Sequence, residues 1–69
     1  MNLWIMYRHA SVTDATVTTW TGSYQNALHR FQNEGGRQAE LFHGTSTDGD
    51  TRMVASIVDG EFHIHGGKR

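Results

Sequence analysis

At 69 residues the chain is one small domain near the lower size limit for folding, and its core leaves little room for the enclosed cavity in which most small-molecule chemistry takes place. Seven acidic and six basic side chains leave a net charge of −1, which is neither the basic balance of a nucleic-acid binder nor the acidic excess of a DNA mimic. No cysteine is present, so disulfides and thiolate metal ligands are excluded and a cytosolic setting is compatible.

The first predicted strand covers residues 2–9, NLWIMYRH. Because side chains alternate along a strand, its two faces carry Leu3, Ile5 and Tyr7 against Trp4, Met6 and Arg8. Apolar residues on both faces indicate a strand that is covered at least partly on both sides. A second strand is predicted at 15–21, where Thr and Val dominate, and Asp14 marks the bend of a loose hairpin between the two.

A helix is predicted within residues 22–36, where the spacing of apolar residues changes from two to 3.6. Positions i, i+3, i+4 and i+7 of one helix face are occupied by Tyr24, Ala27, Leu28 and Phe31. Ser23 is a suitable N-cap, and Gly35 is a suitable C-terminal stop that tolerates the left-handed conformation expected there. No other segment predicts a helix.

Three further strands are predicted after the helix. The segment 37–46 reads as a third strand, and 47–50 as a polar loop. In the last segment, 51–65, the dipeptide Asp59-Gly60 fits a two-residue type I′ turn, because both central positions of that turn need positive φ. The turn therefore joins a fourth strand to a fifth in a hairpin.

The turn also fixes the register of this hairpin: Val58 faces Glu61, and successive pairs continue to Val54 facing His65. Cross-strand partners share a face, which gives an apolar surface of Met53, Ala55, Ile57, Phe62 and Ile64 and an outer surface of Val54, Ser56, Val58, Glu61, His63 and His65. The β-β-α-β-β-β order predicts a small α+β fold, a mostly antiparallel five-stranded sheet with one helix on one face. The sequence predicts a single domain over residues 1–69.

His63 and His65 raise the question of a metal site, because residues two apart in a strand present their imidazoles together. A zinc ion needs further ligands, and the candidates His43, His9 and Glu61 do not sit at a recognised ligand spacing. Ordinary exposed strand histidines are the preferred interpretation, and neither a metal nor another cofactor is expected. A His-based metal-binding protein stays open as an alternative.

A single helix covers only one face of a sheet, so apolar surface is expected to stay accessible on the other. We expect that surface to hold Trp4 and Met6 beside Val54 and Val58. Exposed apolar patches commonly mark protein interfaces, either between copies of one chain or with a foreign partner. The predicted partner-binding residues are Trp4, Val54, Val58, His63 and His65.

Two short motifs suggest a family. FHGT at Phe42–Thr45 follows the helix, and ASIVDG at Ala55–Gly60 leads into the last hairpin. With the order of elements, they make residues 16–64 resemble the small phage-encoded anti-CRISPR proteins that inhibit type I-F surveillance complexes, although the loop between the motifs differs in length. The resemblance implies a non-enzymatic inhibitor that docks on a Cas protein and blocks target DNA.

The expected function is therefore protein binding without catalysis, by an inhibitor or adaptor from a phage or other mobile element. A nucleic-acid-binding module is the alternative, using Arg8, Arg30, Arg37, Arg52 and the C-terminal GGKR.

The run LWIMY at 3–7 is too short to span a bilayer, and no signal-peptide cleavage site follows it. We expect a complete small reading frame whose product is soluble in the cytoplasm, that of the host cell if phage-encoded.

The predicted turn gives a direct test of the hairpin. Replacing Gly60 by valine places a β-branched side chain at positive φ, so Gly60→Val should lower the free energy of unfolding by roughly 1–3 kcal/mol. Gly44→Ala should cost less, because position 44 lies within a predicted regular strand. Thermal melting measures both, and equal melting temperatures for wild type and Gly60→Val would show that the register is wrong.

Overall fold

A computed structural model describes residues 2–44 and 51–65. Its elements, in chain order, are β1 (Leu3–Ser11), β2 (Asp14–Thr21), α1 (Tyr24–Glu34), β3 (Gln38–Gly44), β4 (Thr51–Val58) and β5 (Glu61–Ile64). The predicted order of elements is confirmed. The predicted polar loop at 47–50, the last two residues of the predicted third strand and the C-terminal GGKR lie outside the described residues.

The five strands form one antiparallel sheet in the order β2-β1-β3-β4-β5, as the sequence predicts for the fold class. Both β2 and β3 run antiparallel to β1, so they are parallel to each other. A connection between parallel strands has to cross the sheet, and α1 makes that crossing. The helix is therefore carried over the face of β1 that lies between β2 and β3.

Helix α1 begins and ends close to the predicted residues. The Ser23 side chain accepts a hydrogen bond from the Asn26 amide at 3.2 Å, which confirms the N-cap. Gly35 ends the helix, but its φ is −73°, so the expected left-handed conformation at this residue is wrong. Gly36 adopts that conformation instead, with φ of 71°. Within the described residues, no helix has the length and apolar character needed to cross a membrane.

The core lies between α1 and the sheet. The helix buries Ala27 and Phe31 completely. They pack on two residues from each of three strands: Trp4 and Met6, Ala39 and Leu41, and Ala55 and Ile57. Alanine at 27 on the helix and at 39 and 55 on the strands lets the helix backbone approach the sheet closely, and the large side chains fill the space around it. Truncating a buried phenylalanine such as Phe31 typically costs about 3–5 kcal/mol.

Glycine is needed at position 35 because of this close approach. A Cβ atom there would lie 2.7 Å from Ile57 Cδ1, 2.8 Å from the Phe31 carbonyl oxygen and 3.4 Å from Ala39 Cβ. The first two distances are shorter than van der Waals contact. Gly35 therefore allows the helix to end directly on the sheet.

The last hairpin has the predicted turn. Asp59 and Gly60 have φ of 54° and 84°, and four predicted pairs are present, from Val58 with Glu61 to Ala55 with Ile64. The Gly60 amide also donates to the Arg37 carbonyl at 3.0 Å, which fastens the turn to the start of β3.

The pairing of β4 with β3 departs from the predicted alternation at Val54. Leu41 pairs with Ala55 but Phe42 pairs with Met53, so Val54 has no opposite residue in this ladder. Because of this extra residue, the β4 side chains before Val54 point to the opposite face from the one that regular alternation predicts. Met53 consequently lies on the opposite face from Ala55 and Ile57, and its expected place on their apolar surface is wrong.

We expect Gly35→Ala to lower the free energy of unfolding by about 1–3 kcal/mol, because the new methyl group overpacks the junction between α1 and β4. Asn33→Ala on the exposed side of α1 is the control and should change stability by less than about 0.5 kcal/mol. Urea unfolding of both variants measures the difference.

The double variant Gly35→Ala with Ile57→Val identifies the contact. Removing Ile57 Cδ1 should recover part of the loss, so the two substitutions should cost less together than the sum of their separate costs. Strict additivity would show that Ile57 is not the obstacle.

Candidate protein-binding face

The sheet face opposite α1, called here the helix-free face, is the candidate site. No helix among the described residues packs on it. The cross-strand pairs identify the residues on this face. Tyr7 lies between Val17 and Glu40, and Ile5 lies between Thr19 and Phe42. Glu40 continues to Ser56 on β4 and His63 on β5.

Four apolar side chains form a continuous band across this face. Val17, Tyr7, Phe42 and Met53 come from β2, β1, β3 and β4 respectively, and we call them the apolar diagonal. The Tyr7 and Phe42 rings meet edge to face with centroids 5.4 Å apart. Val17 is 57% exposed, and Tyr7 and Met53 are each 37% exposed. The band therefore presents aromatic and aliphatic surface to solvent.

A polar rim borders the apolar diagonal on its β5 side and toward the β1–β2 turn. His9 Nε2 lies 2.9 Å from Glu40 Oε1, and Ser56 Oγ lies 2.7 Å from His65 Nε2. His63 Nε2 lies 3.5 Å from Glu61 Oε1. Several rim groups thus satisfy one another within the sheet, so they can border an interface without requiring charged partners.

Trp4 does not lie on the helix-free face, and its expected position there is wrong. It is 2% exposed beneath α1, where its Nε1 donates to the Gly22 carbonyl at 2.8 Å. Its ring centroid lies 4.5 Å from that of His43, with the two rings tilted. Met6, two residues away in β1, shares this core and is also misplaced by the prediction. On the helix side the indole buries its large apolar surface and its N–H finds a hydrogen-bond acceptor.

The two predicted valines differ in outcome. Val54 is half-buried against the core, because the shift in the β3–β4 register turns it away from the predicted surface, so that placement is wrong. Val58 is 45% exposed on the helix-free face, as expected. It pairs with Gln38 and Glu61, however, and lies apart from the apolar diagonal.

The residues of the apolar diagonal that sequence reasoning missed are Tyr7, Phe42, Val17 and Met53. The first two follow from strand alternation once Trp4 and Leu41 are known to face the helix. Met53 carries no such signal, because only the register shift at Val54 brings it opposite Phe42.

His63 pairs with Ser56 on the helix-free face as predicted, and His65 reaches the same serine. Among the described residues, no group of three or more His, Asp or Glu side chains could hold a metal ion. In the described residues, the His63 and His65 imidazoles therefore have no third side chain directed at a common metal position. A structural zinc site uses four ligands.

Four arginines of the alternative function lie in the described residues, and of these Arg8 and Arg37 lie near each other, since the Arg8 side chain lies against Gly36. Arg30 lies over the Trp20 ring at 4.5 Å and bonds Glu34 at 3.0 Å. Arg8 pairs with Ala39 at one end of the sheet and Arg52 with His43 at the other, four residues or roughly 13 Å away along β3. Arg37 lines an open groove of about 600 Å³ beside His9 and Asp59. The described arginines do not form one basic surface.

No protein-family model matches the chain, and comparisons with curated proteins and with solved structures likewise found no match.

We expect metal removal to leave the protein folded. The melting temperature should be unchanged by EDTA, both in the wild type and in the double variant His63→Gln with His65→Gln. The double variant itself should lose no more than about 1 kcal/mol, the usual contribution of a hydrogen bond such as that between Ser56 and His65. Metal analysis after dialysis provides the check. Stoichiometric zinc whose removal lowers stability would contradict the expectation, because a structural metal contributes directly to folding.

Proposed function

We propose that this protein is a non-enzymatic binding module that acts by occupying the surface of a partner protein with its helix-free face. The observation that supports this proposal is the exposure of the apolar diagonal, in particular of Tyr7 and Met53. Burying such side chains against a partner removes apolar area from water, which contributes roughly 25 cal/mol for each Å².

The composition of the face supports a protein partner over a small molecule. An apolar centre bordered by polar groups is the usual arrangement of a protein interface, with aromatic residues and methionine enriched at its core. Tyr7 and Phe42 fit that pattern because they are large and already held against each other. The groove beside the apolar diagonal, lined in part by His9 and Glu40, is open and not enclosed. The face therefore offers contact area without an enclosed pocket, which suits blocking better than catalysis.

The family resemblance supports a particular kind of partner, the type I-F surveillance complex of a bacterial host. In this form of the proposal the protein is an anti-CRISPR-like inhibitor that works in the host cytoplasm. It would dock on a Cas protein and prevent target DNA from binding. Phe42 belongs to one of the motifs behind the resemblance and lies in the apolar diagonal.

Substitution of Tyr7 or Met53 by serine tests the face. Each change should weaken partner binding by about 2 kcal/mol, or roughly thirty-fold in Kd, if the residue is an interface hot spot. Ile64→Ser is the matched control, because Ile64 is 55% exposed but pairs with Ala55 on the helix side of the sheet. Binding to purified type I-F complex, with and without target DNA, gives the readout, and circular dichroism verifies folding.

If the complex does not bind, pull-down with the wild type and the Tyr7→Ser variant from a host lysate should recover a protein that only the wild type retains. Folded Tyr7→Ser and Met53→Ser variants with full activity would overturn the role of the face. Oligonucleotide binding over a salt series examines the alternative function, because phosphate contacts make affinity fall steeply as salt rises.

A further inference from the structure

The two edges of the sheet differ in how well they are protected. The β5 edge is four residues long and includes Glu61 and His63, and short charged edge strands resist pairing. The β2 edge is eight residues long, and its only charged side chain is Asp14 at its first position. The segment from 15 to 21 pairs with β1 without a register shift and consists of Ala, Thr, Val and Trp.

An open edge of this kind has unpaired backbone donors and acceptors along its length. Threonine, valine and tryptophan favour extended structure, so the edge is already held in the conformation that accepts another strand. Nothing in the described part of the chain covers this edge as a further strand, since β2 is the outermost strand of the sheet.

We infer that β2 pairs with β2 of a second copy of the chain, antiparallel, to form one continuous ten-stranded sheet. A two-fold axis perpendicular to the sheet relates antiparallel strands and keeps corresponding faces on the same side. Two residues opposite each other in a sheet point to the same face. The axis must therefore pass beside one residue, which lies opposite the same residue of the second copy.

Thr18 is the residue that best fits this axis. Centred there, Val17 opposes Thr19 of the second copy, and Thr16 opposes Trp20, which are favourable β-branched and aromatic pairings. All seven residues from 15 to 21 take part, and Asp14 stays outside the ladder. Centring on Val17 would instead place Asp14 opposite Trp20.

The charges at this edge favour a second copy over a foreign strand. A partner strand of opposite charge would need charges on β2 to recognise, and only Asp14 is available. The two-fold arrangement separates the two copies of Asp14 to opposite ends of the ladder. Arg30, which lies over Trp20, is already paired with Glu34 on its own helix.

This pairing is independent of the proposed function, but it affects the helix-free face. Both helices lie on one side of the ten-stranded sheet, so both apolar diagonals lie on the other. Each diagonal reaches the shared edge at Val17. The dimer would thus present two copies of the docking surface side by side.

The self-association of wild type is the first test. Sedimentation over a concentration series should show a mass rising from 7.8 kDa toward twice that value. Thr19→Lys places a charge on the edge and should shift the midpoint at least about tenfold to higher concentration, while circular dichroism stays unchanged. Thr19→Ser is the uncharged control. A wild type that stays monomeric throughout, including one that pairs only with a foreign strand, would overturn the inference.

A cysteine scan tests the register, because the chain has no cysteine of its own. In the proposed pairing Thr18 faces its own copy, so Thr18→Cys should form a disulfide-linked dimer faster than Thr16→Cys or His63→Cys under mild oxidation. Equal rates for Thr18→Cys and His63→Cys, which lies on the opposite edge, would reject pairing through β2. Tyr7→Ser should leave this crosslinking unchanged, so failure of the dimer and failure of the docking face are distinguishable.

Discussion

The close packing of one helix on one face of the sheet is the constraint on which the rest of this structure depends. Phe31 and Ala27 bury themselves against strand residues that are small at Ala39 and Ala55. Gly35 lets the helix end at the sheet surface without a clash. With a single helix in the described chain, this packing settles which side of every strand is core and leaves the other side to solvent.

The same constraint explains the composition of the helix-free face. Strand β1 lies inside the sheet and carries apolar side chains on both of its faces. Because side chains alternate along a strand, half of these apolar side chains point away from the helix. Ile5 is buried by its neighbours on that side, whereas Tyr7 stays partly exposed. An apolar band on a sheet face is therefore both a product of the fold and the basis of the proposed docking surface.

Local signals in the sequence predicted the features that depend on local chemistry. Ser23 as N-cap, the Asp59-Gly60 turn and the pairing of Ile57 with Phe62 are properties of a few adjacent residues, and the structure confirms them. The side of β1 that faces the helix could not be predicted, because both of its faces are apolar and alternation alone does not distinguish them. The crossing of α1 from β2 to β3 decides it, and it places Trp4 in the core. The extra residue at Val54 has no signature in the sequence, so regular alternation places Met53 on the wrong face.

The ladder between β1 and β3 has a further consequence for how the domain assembles. The other three ladders join strands that are neighbours in the chain, whereas this one pairs residues as distant as Leu3 and Gly44. In the described residues the structure thus consists of an N-terminal hairpin and a three-stranded meander, connected by the helix and joined by one ladder between strands distant in the chain. Closing a long loop is entropically costly and slows folding. Formation of the β1–β3 ladder is accordingly expected to be the rate-limiting event, with both local halves forming earlier.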